Sequence, residues 1–175
     1  MSQTVERVWA ELERLSDPEI PVLSLREMGI LRDVRETPDG VEVVITPTYS
    51  GCPAMAQIED DVRATLQRLG VPARVVTRLA PAWTTDWMSE TAHEKLRAYG
   101  IAPPQGRCAE AAVAAPAAER VLRFVRGAGQ GAPGVACPRC GSLHTVETSH
   151  FGSTACKALY KCLDCQEPFD HFKPY

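Results

Sequence analysis

Apolar side chains recur at Val5, Val8, Trp9, Leu12 and Leu15, which is the spacing of one helix face and predicts a helix over 3–15. Ser16-Asp17-Pro18 ends it, because proline lacks an N–H and restricts the residue before it. A loop through Pro21 follows. Ser24 is placed to cap a short helical turn that Gly29 closes. Residues 30–36 and 41–47 read as strands, joined by a hairpin turn at Pro38-Asp39-Gly40. Gly51-Cys52-Pro53 is predicted to open the next helix, with Pro53 at its first position, where a missing N–H costs nothing. Its apolar stripe is Ala54, Ile58, Val62, Leu66 and Leu69, and Gly70 stops it. Residues 72–79 predict a third strand. Residues 85–99, capped by Thr85 or Asp86, predict a last helix ending at Gly100. The order α-β-β-α-β-α describes an α+β domain with helices packed on a small mixed sheet.

The pattern breaks after Ile101. Residues 102–134 are dominated by Ala, Pro and Gly and read as a linker. Its middle, Ala117 to Arg126, is the one part with the makings of a short helix or strand. Beyond it, Cys137-Pro138-Arg139-Cys140 is followed after 21 residues by Cys162-Leu163-Asp164-Cys165. Two CxxC pairs at that separation describe an all-β zinc ribbon. The expected organisation is therefore an α+β domain over 1–101, a linker over 102–134 and a ribbon over 135–175.

Composition adds bounds. The chain has 175 residues, 45% of them apolar and 23% charged, room for one full domain and a small one. No apolar run could cross a membrane, and the first residues lack the basic-then-apolar layout of a signal peptide. A cytoplasmic protein is the expectation, in which cysteines are free thiols or metal ligands. Residues 1–100 carry 11 basic and 16 acidic side chains, and 135–175 carry four of each. A duplex-binding protein shows a basic face, so neither nucleic acid nor membrane is an expected partner.

Cys137, Cys140, Cys162 and Cys165 would close a four-thiolate site with no open position, so its zinc is structural. The competing use of such a set is a rubredoxin-type iron site. Phe151, Tyr160, Phe169, Phe172 and Tyr175, five of the chain's eleven aromatics, fall in the ribbon. They are either its small core or a docking face for a partner. With four thiols available, His144, His150 and His171 read as polar surface groups. Cys156, between the pairs, is either a small packed residue or a reactive thiol whose pKa Lys157 lowers.

Cys52 is the other thiol of interest. At a helix N-terminus, backbone N–H groups and the helix dipole favour a thiolate. The strand-to-helix loop before it carries Thr46, Thr48 and Ser50, a plausible anion or metal site. The alternative is a cysteine buried at a tight turn. Asp17 and Glu19 form a second polar cluster; such carboxylates bind metal or move protons, but more often hold loop N–H groups. Glu90 and His93 have Glu-x-x-His spacing in a single copy and read as a solvated face. No phosphate loop, nucleophile elbow or zinc-hydrolase histidine pair is present.

Two stretches carry a resemblance. Asp17-Pro18-Glu19-Ile20-Pro21-Val22, Met28-Gly29-Ile30 and Thr46-Pro47-Thr48-Tyr49-Ser50-Gly51-Cys52-Pro53 resemble the metal–sulfur-cluster biosynthetic domain family, a small α+β domain of iron–sulfur assembly factors. The tail, from Cys137-Pro138-Arg139-Cys140-Gly141-Ser142 through Phe151-Gly152-Ser153-Thr154-Ala155-Cys156-Lys157 to Glu167-Pro168-Phe169-Asp170, resembles one branch of it. That branch comprises the D subunits of the bacterial phenylacetyl-CoA ring 1,2-epoxidase system, of aerobic phenylacetate catabolism. The resemblance implies a non-catalytic accessory protein that assists maturation or metal loading. The oxygenase subunit with its di-iron site and the iron–sulfur reductase subunit are the implied partners. It also implies that Asp17, the Thr46–Thr48 region and Cys52 form the functional cluster, with iron or an iron–sulfur cluster held transiently. A lone cysteine is too few ligands, so a second comes from a dimer mate, a partner or Cys156. The rival readings are a stable structural subunit of the oxygenase, a nucleic-acid-binding ribbon, which the acidic balance opposes, and an enzyme in its own right, for which the sequence shows no complete catalytic constellation.

Overall fold

A computed structural model describes residues 2–105 and 134–175. The segment from Ala117 to Arg126 lies outside the described residues. The α+β domain begins with α1 (Gln3–Leu12), followed by β1 (Leu31–Thr37), β2 (Gly40–Ile45), α2 (Met55–Leu69), β3 (Ala73–Thr77), a 3-10 turn (Thr85–Trp87) and α3 (Glu90–Tyr99). The ribbon adds β4 (Ile101–Ala102), β5 (Thr145–Ser149), β6 (Lys157–Cys162) and β7 (Pro168–Phe172). Among the described residues no helix is long and apolar enough to cross a membrane.

The first sheet has the order β1-β2-β3. β1 and β2 are an antiparallel hairpin turning at Gly40, where φ is +133° and a Cβ would lie 2.0 Å from the Pro72 carbonyl oxygen. β3 returns parallel to β2, with α2 as the crossover. Val41, Val43 and Ile45 of the central strand enter the core with Ile58, Val62 and Leu66 of α2 and Val5, Val8 and Leu12 of α1. The alternate residue Glu42 is also buried, under Arg35 and Arg74 from the two flanking strands and Arg78 just past β3.

Three local expectations are corrected. α1 stops at Leu12, because the chain turns so that the Leu25 N–H can donate to the Leu15 carbonyl. α2 begins at Met55, not at Pro53; the Cys52 N–H is already committed to the Tyr49 carbonyl, and the chain turns again before the first helical hydrogen bonds form. The expected helix over 85–99 is two pieces. Ser89, with extended backbone, caps α3 by accepting the Ala92 N–H, while the Thr85 N–H donates to the carbonyl of Tyr175 at the far end of the chain.

The ribbon sheet has the order β4-β7-β6-β5. Ala102, the first residue assigned to the linker, is instead the second residue of β4 and pairs with His171 of β7. The α+β domain thus feeds an edge strand directly into the ribbon. The two modules also share a core: Phe172 and Cys156 are buried in the same cluster as Leu12, Met28 and Trp83. Trp83 donates from Nε1 to the Met28 carbonyl and meets the rings of Phe172 and Tyr175 at centroid distances of 6.1 and 6.3 Å. Burying a phenylalanine in full contributes roughly 1.5–3 kcal/mol, so Phe172 is a substantial fastening between modules.

The ribbon's five aromatics therefore divide. Tyr160 and Phe169 pack in a small core beside Cys137 and Cys162, Phe172 and Tyr175 pack on the chain's own α+β domain, and Phe151 is exposed. Neither alternative, one ribbon core or one docking face, takes in all five.

Candidate functional site

The four ribbon cysteines come from two knuckles. The first turns at Gly141, where φ is +75°, with the Gly141 N–H donating to the Cys137 carbonyl. The second follows β6, and the Cys162 N–H donates to the Glu167 carbonyl. All four sulfurs lie within 4.8 Å of one another. Across the knuckles, Cys137 to Cys165 is 3.8 Å and Cys140 to Cys162 is 3.6 Å. A tetrahedron of sulfurs at the usual zinc–sulfur bond length of about 2.3 Å has edges of about 3.8 Å, so the donor set fits zinc. Backbone donation from Cys165 and then Asp164 brings the Cys162 thiol down to about 7. At Cys165 the Glu167 N–H is the strongest single influence and lowers the pKa, but lost hydration and the neighbouring sulfurs together push it up to about 12. A divalent cation relieves that crowding by replacing the protons.

The second group of residues forms where the two modules meet. Asp17 is buried, and its Oδ1 accepts the N–H groups of Glu19 and Ile20 at 2.8 Å each. It thus holds the loop N–H groups as the sequence suggests for such carboxylates. Burial raises its pKa, opposed by those two N–H groups and by Lys157. Thr46 is buried at the end of the sheet, and its N–H donates to the Ile30 carbonyl. Thr48 is buried beside Cys52, and its side chain and the Ala54 N–H both pull the Cys52 thiol down. Cys52 is half-buried, and Asp17 and Glu19 both act on it.

Here the electrostatic expectation is reversed. Because α2 starts at Met55 with Ala54 as its cap residue, Cys52 does not cap the helix, and burial is the largest influence on its thiol. It stands above the ordinary value despite Ala54 and Thr48. Cys156 is likewise raised, chiefly by burial; Thr154 and Lys157 pull the other way and lose. Both thiols are protonated near neutrality, and a metal must displace those protons to bind.

Cys156 is placed by a tight loop of the ribbon. The Gly152 N–H donates to the Lys157 carbonyl, and a Cβ on Gly152 would lie 2.9 Å from Asp170 Oδ1. The Lys173 N–H donates to the Cys156 carbonyl, the Tyr175 hydroxyl donates to the Ala155 carbonyl, and Thr154 Oγ1 is 2.9 Å from the Cys156 sulfur. Among the described residues only the ribbon cysteines bring three or more ligand atoms within mutual reach.

Of the other singled-out residues, Glu90 is exposed on α3 and His93 is half-buried on the same helix. His144 and His150 are exposed beside Asp164 and Glu147. His171 is not a surface group: it is buried on β7 against the Tyr160 ring, and its Nε2 has no hydrogen-bond partner among the described residues. Strand alternation puts it on the same face as Phe169, a signal available in the sequence once β7 is placed.

Comparison with known proteins decides the family. A model of the iron–sulfur cluster assembly protein family matches residues 5–78, and one of the PaaD zinc beta ribbon domain matches residues 123–173. The chain is 45% identical over 170 residues to the Escherichia coli protein provisionally named as the D subunit of 1,2-phenylacetyl-CoA epoxidase, covering 97% of this chain and 92% of that one. It belongs to the family of phenylacetyl-CoA epoxidase D subunits. It is also 37% identical over 93 residues to an Fe-S protein maturation auxiliary factor of Porphyromonas gingivalis, covering 51% of this chain and 88% of that one. A domain of unknown function from Bacillus anthracis superposes with a TM-score of 0.49 at 27% identity, over 53% of this chain and 91% of that one. The match to iron–sulfur cluster assembly proteins falls in the α+β domain, and the match to the PaaD ribbon takes in the tail.

Proposed function

We propose that this chain is an accessory factor that loads iron or an iron–sulfur cluster during maturation of the phenylacetyl-CoA ring epoxidase, and that it does not itself catalyse the epoxidation. The observation that carries the reading is Cys52. It is the one cysteine in residues 1–101, and it sits half-buried where Thr48, Asp17 and Glu19 converge, within the segment matching iron–sulfur assembly proteins. Sulfur is the donor that iron of a cluster takes. Cys52 holds the cargo; Thr48 orients the sulfur; Asp17 fixes the loop that carries Glu19. Thr46, tied to Ile30 by its backbone, sets the end of the strand from which the Cys52 loop departs. The zinc of the four ribbon cysteines is structural and keeps the ribbon folded, and the client is the oxygenase or the iron–sulfur reductase subunit. Removing Cys52 should abolish maturation while leaving the fold. The test is epoxidase reconstitution in which the client is loaded by wild-type or Cys52→Ala chain. Cys52→Ala is expected to give client without iron; full activity would refute the role.

A second reading, a fixed non-catalytic subunit of the oxygenase, draws on the subunit name of the Escherichia coli relative. Co-purification with the active enzyme at constant stoichiometry favours it, and loss of the chain after one round of loading favours the maturation role.

A further inference from the structure

Cys52 alone is too few ligands to hold iron, and the described residues of the α+β domain offer no second thiol. The ribbon does. Cys156 is buried in the same apolar cluster against which Cys52 packs, although the two lie in different modules. Their electrostatic neighbourhoods interlock. Cys52 acts on Cys156, Glu19 acts on both, and Tyr49 feels Cys52, Cys156 and Glu19 together. Asp17, beside Cys52, is acted on by Lys157, the residue after Cys156. Three independent contacts hold Cys156 in this place: the Lys173 N–H on its carbonyl, the Tyr175 hydroxyl on Ala155, and the Thr154 hydroxyl at its sulfur.

We propose that Cys156 is the second sulfur of the Cys52 site, so that the α+β domain and the ribbon each supply one thiolate to a shared site for a thiophilic metal, ferrous iron or the iron of a cluster. This rests on the reading of Cys52 given above and adds to it a ligand from the other module. The donor set is two soft sulfurs with the Glu19 carboxylate nearby, which suits iron and leaves positions for a client's ligands. It also gives the zinc a task. β6 begins at Lys157, directly after Cys156, and ends at Cys162, a zinc ligand. One strand therefore ties the structural metal to the cargo thiol.

The test uses the full-length, zinc-loaded chain under anaerobic conditions, with ferrous iron as the probe and equilibrium dialysis as the readout. Wild type, Cys52→Ala, Cys156→Ala and Cys156→Ser are compared, with zinc content and thermal midpoint confirming the fold. Loss of either thiol is expected to weaken iron binding by at least about tenfold, the lower end of what supporting groups of metal sites contribute. If both Cys156 variants bind iron like wild type while Cys52→Ala does not, the shared site is wrong and the Cys52 reading survives. If Cys52→Ala also binds like wild type, the underlying reading fails with it. Should the Cys156 variants not fold, a bifunctional reagent that bridges neighbouring thiols is applied to wild type. A bridge between Cys52 and Cys156 that ferrous iron suppresses supports the proposal, and its absence overturns it.

Discussion

The ribbon knuckles and the interdomain thiols use the same element in opposite ways. Cys137, Cys140, Cys162 and Cys165 gather their sulfurs within 4.8 Å, receive backbone N–H groups, and hold one thiol at about 7. That arrangement closes around a metal and keeps it. Half-buried Cys52 and buried Cys156 pack on one shared core, each lifted above the ordinary thiol value by loss of water, and among the described residues neither belongs to a set of three converging ligands. An arrangement in which the metal must displace protons and still lacks ligands is suited to holding cargo briefly. On the function proposed above, the first site retains its metal and the second releases it.

The sharpest way to break this comparison is to remove the zinc. Structural zinc contributes on the order of 10 kcal/mol in small zinc-dependent folds, so chelation should unfold the ribbon. Phe172 and Tyr175 would then leave Trp83, and the tryptophan fluorescence should shift towards that of exposed indole while the α+β helices persist. Unchanged fluorescence would show that the modules dock without the metal.

Next in size is the fastening itself. Phe172→Ala should cost about 3–5 kcal/mol, the usual loss for a buried phenylalanine, measured by denaturant unfolding. Phe151→Ala, at a residue 62% exposed on the same ribbon, should change stability by less than about 0.5 kcal/mol. Equal effects would remove the distinction between the inward and outward faces.

Smaller again is the loop beneath Cys52. Asp17→Ala leaves the Glu19 and Ile20 N–H groups without their acceptor and should cost about 1–3 kcal/mol by the same measurement. Asp17→Asn retains an acceptor and should cost less.

The smallest effect is one of pH. Burial holds His171 below the ordinary imidazole value of 6.5, against the pull of Glu147, with the Tyr160 ring edge on its face. The unfolded chain therefore takes up this proton first. The contribution of His171 to stability is present above pH 6.5 and is lost as pH falls through 6.5 towards the depressed folded value. Glu42, depressed chiefly by Arg35, gives the α+β domain a loss that starts only as pH falls through 4.5. In zinc-saturated buffer, His171→Gln should flatten the higher of these two steps in the thermal midpoint and leave the lower one.

The same contrast explains what was legible in the sequence. The α2 stripe, the Ser24–Gly29 turn and the clustering of the four ribbon cysteines are written in spacings of a few residues, and the fold brings each together as the pattern suggests. The CxxC knuckle needs only its own backbone. Cys52 packs on a core that includes Cys156 and Phe172, which lie far along the chain beyond a low-complexity segment, and no local period connects them. That is why the thiolate expected at a helix N-terminus becomes a buried thiol: the turn at Tyr49–Cys52 delays the helix, and the ribbon covers the site. His171 and Thr85 depart from expectation for a related reason, since strand pairing and the chain's last residues decide their surroundings.

The separation of a retained metal from a released one is the core of the account, and metal analysis of anaerobically purified protein tests it directly. Wild type and Cys52→Ala should each contain zinc at about one per chain, the capacity of one four-thiolate site. Iron should accompany wild type alone. Equal iron in both proteins, or zinc lost together with Cys52, would contradict it.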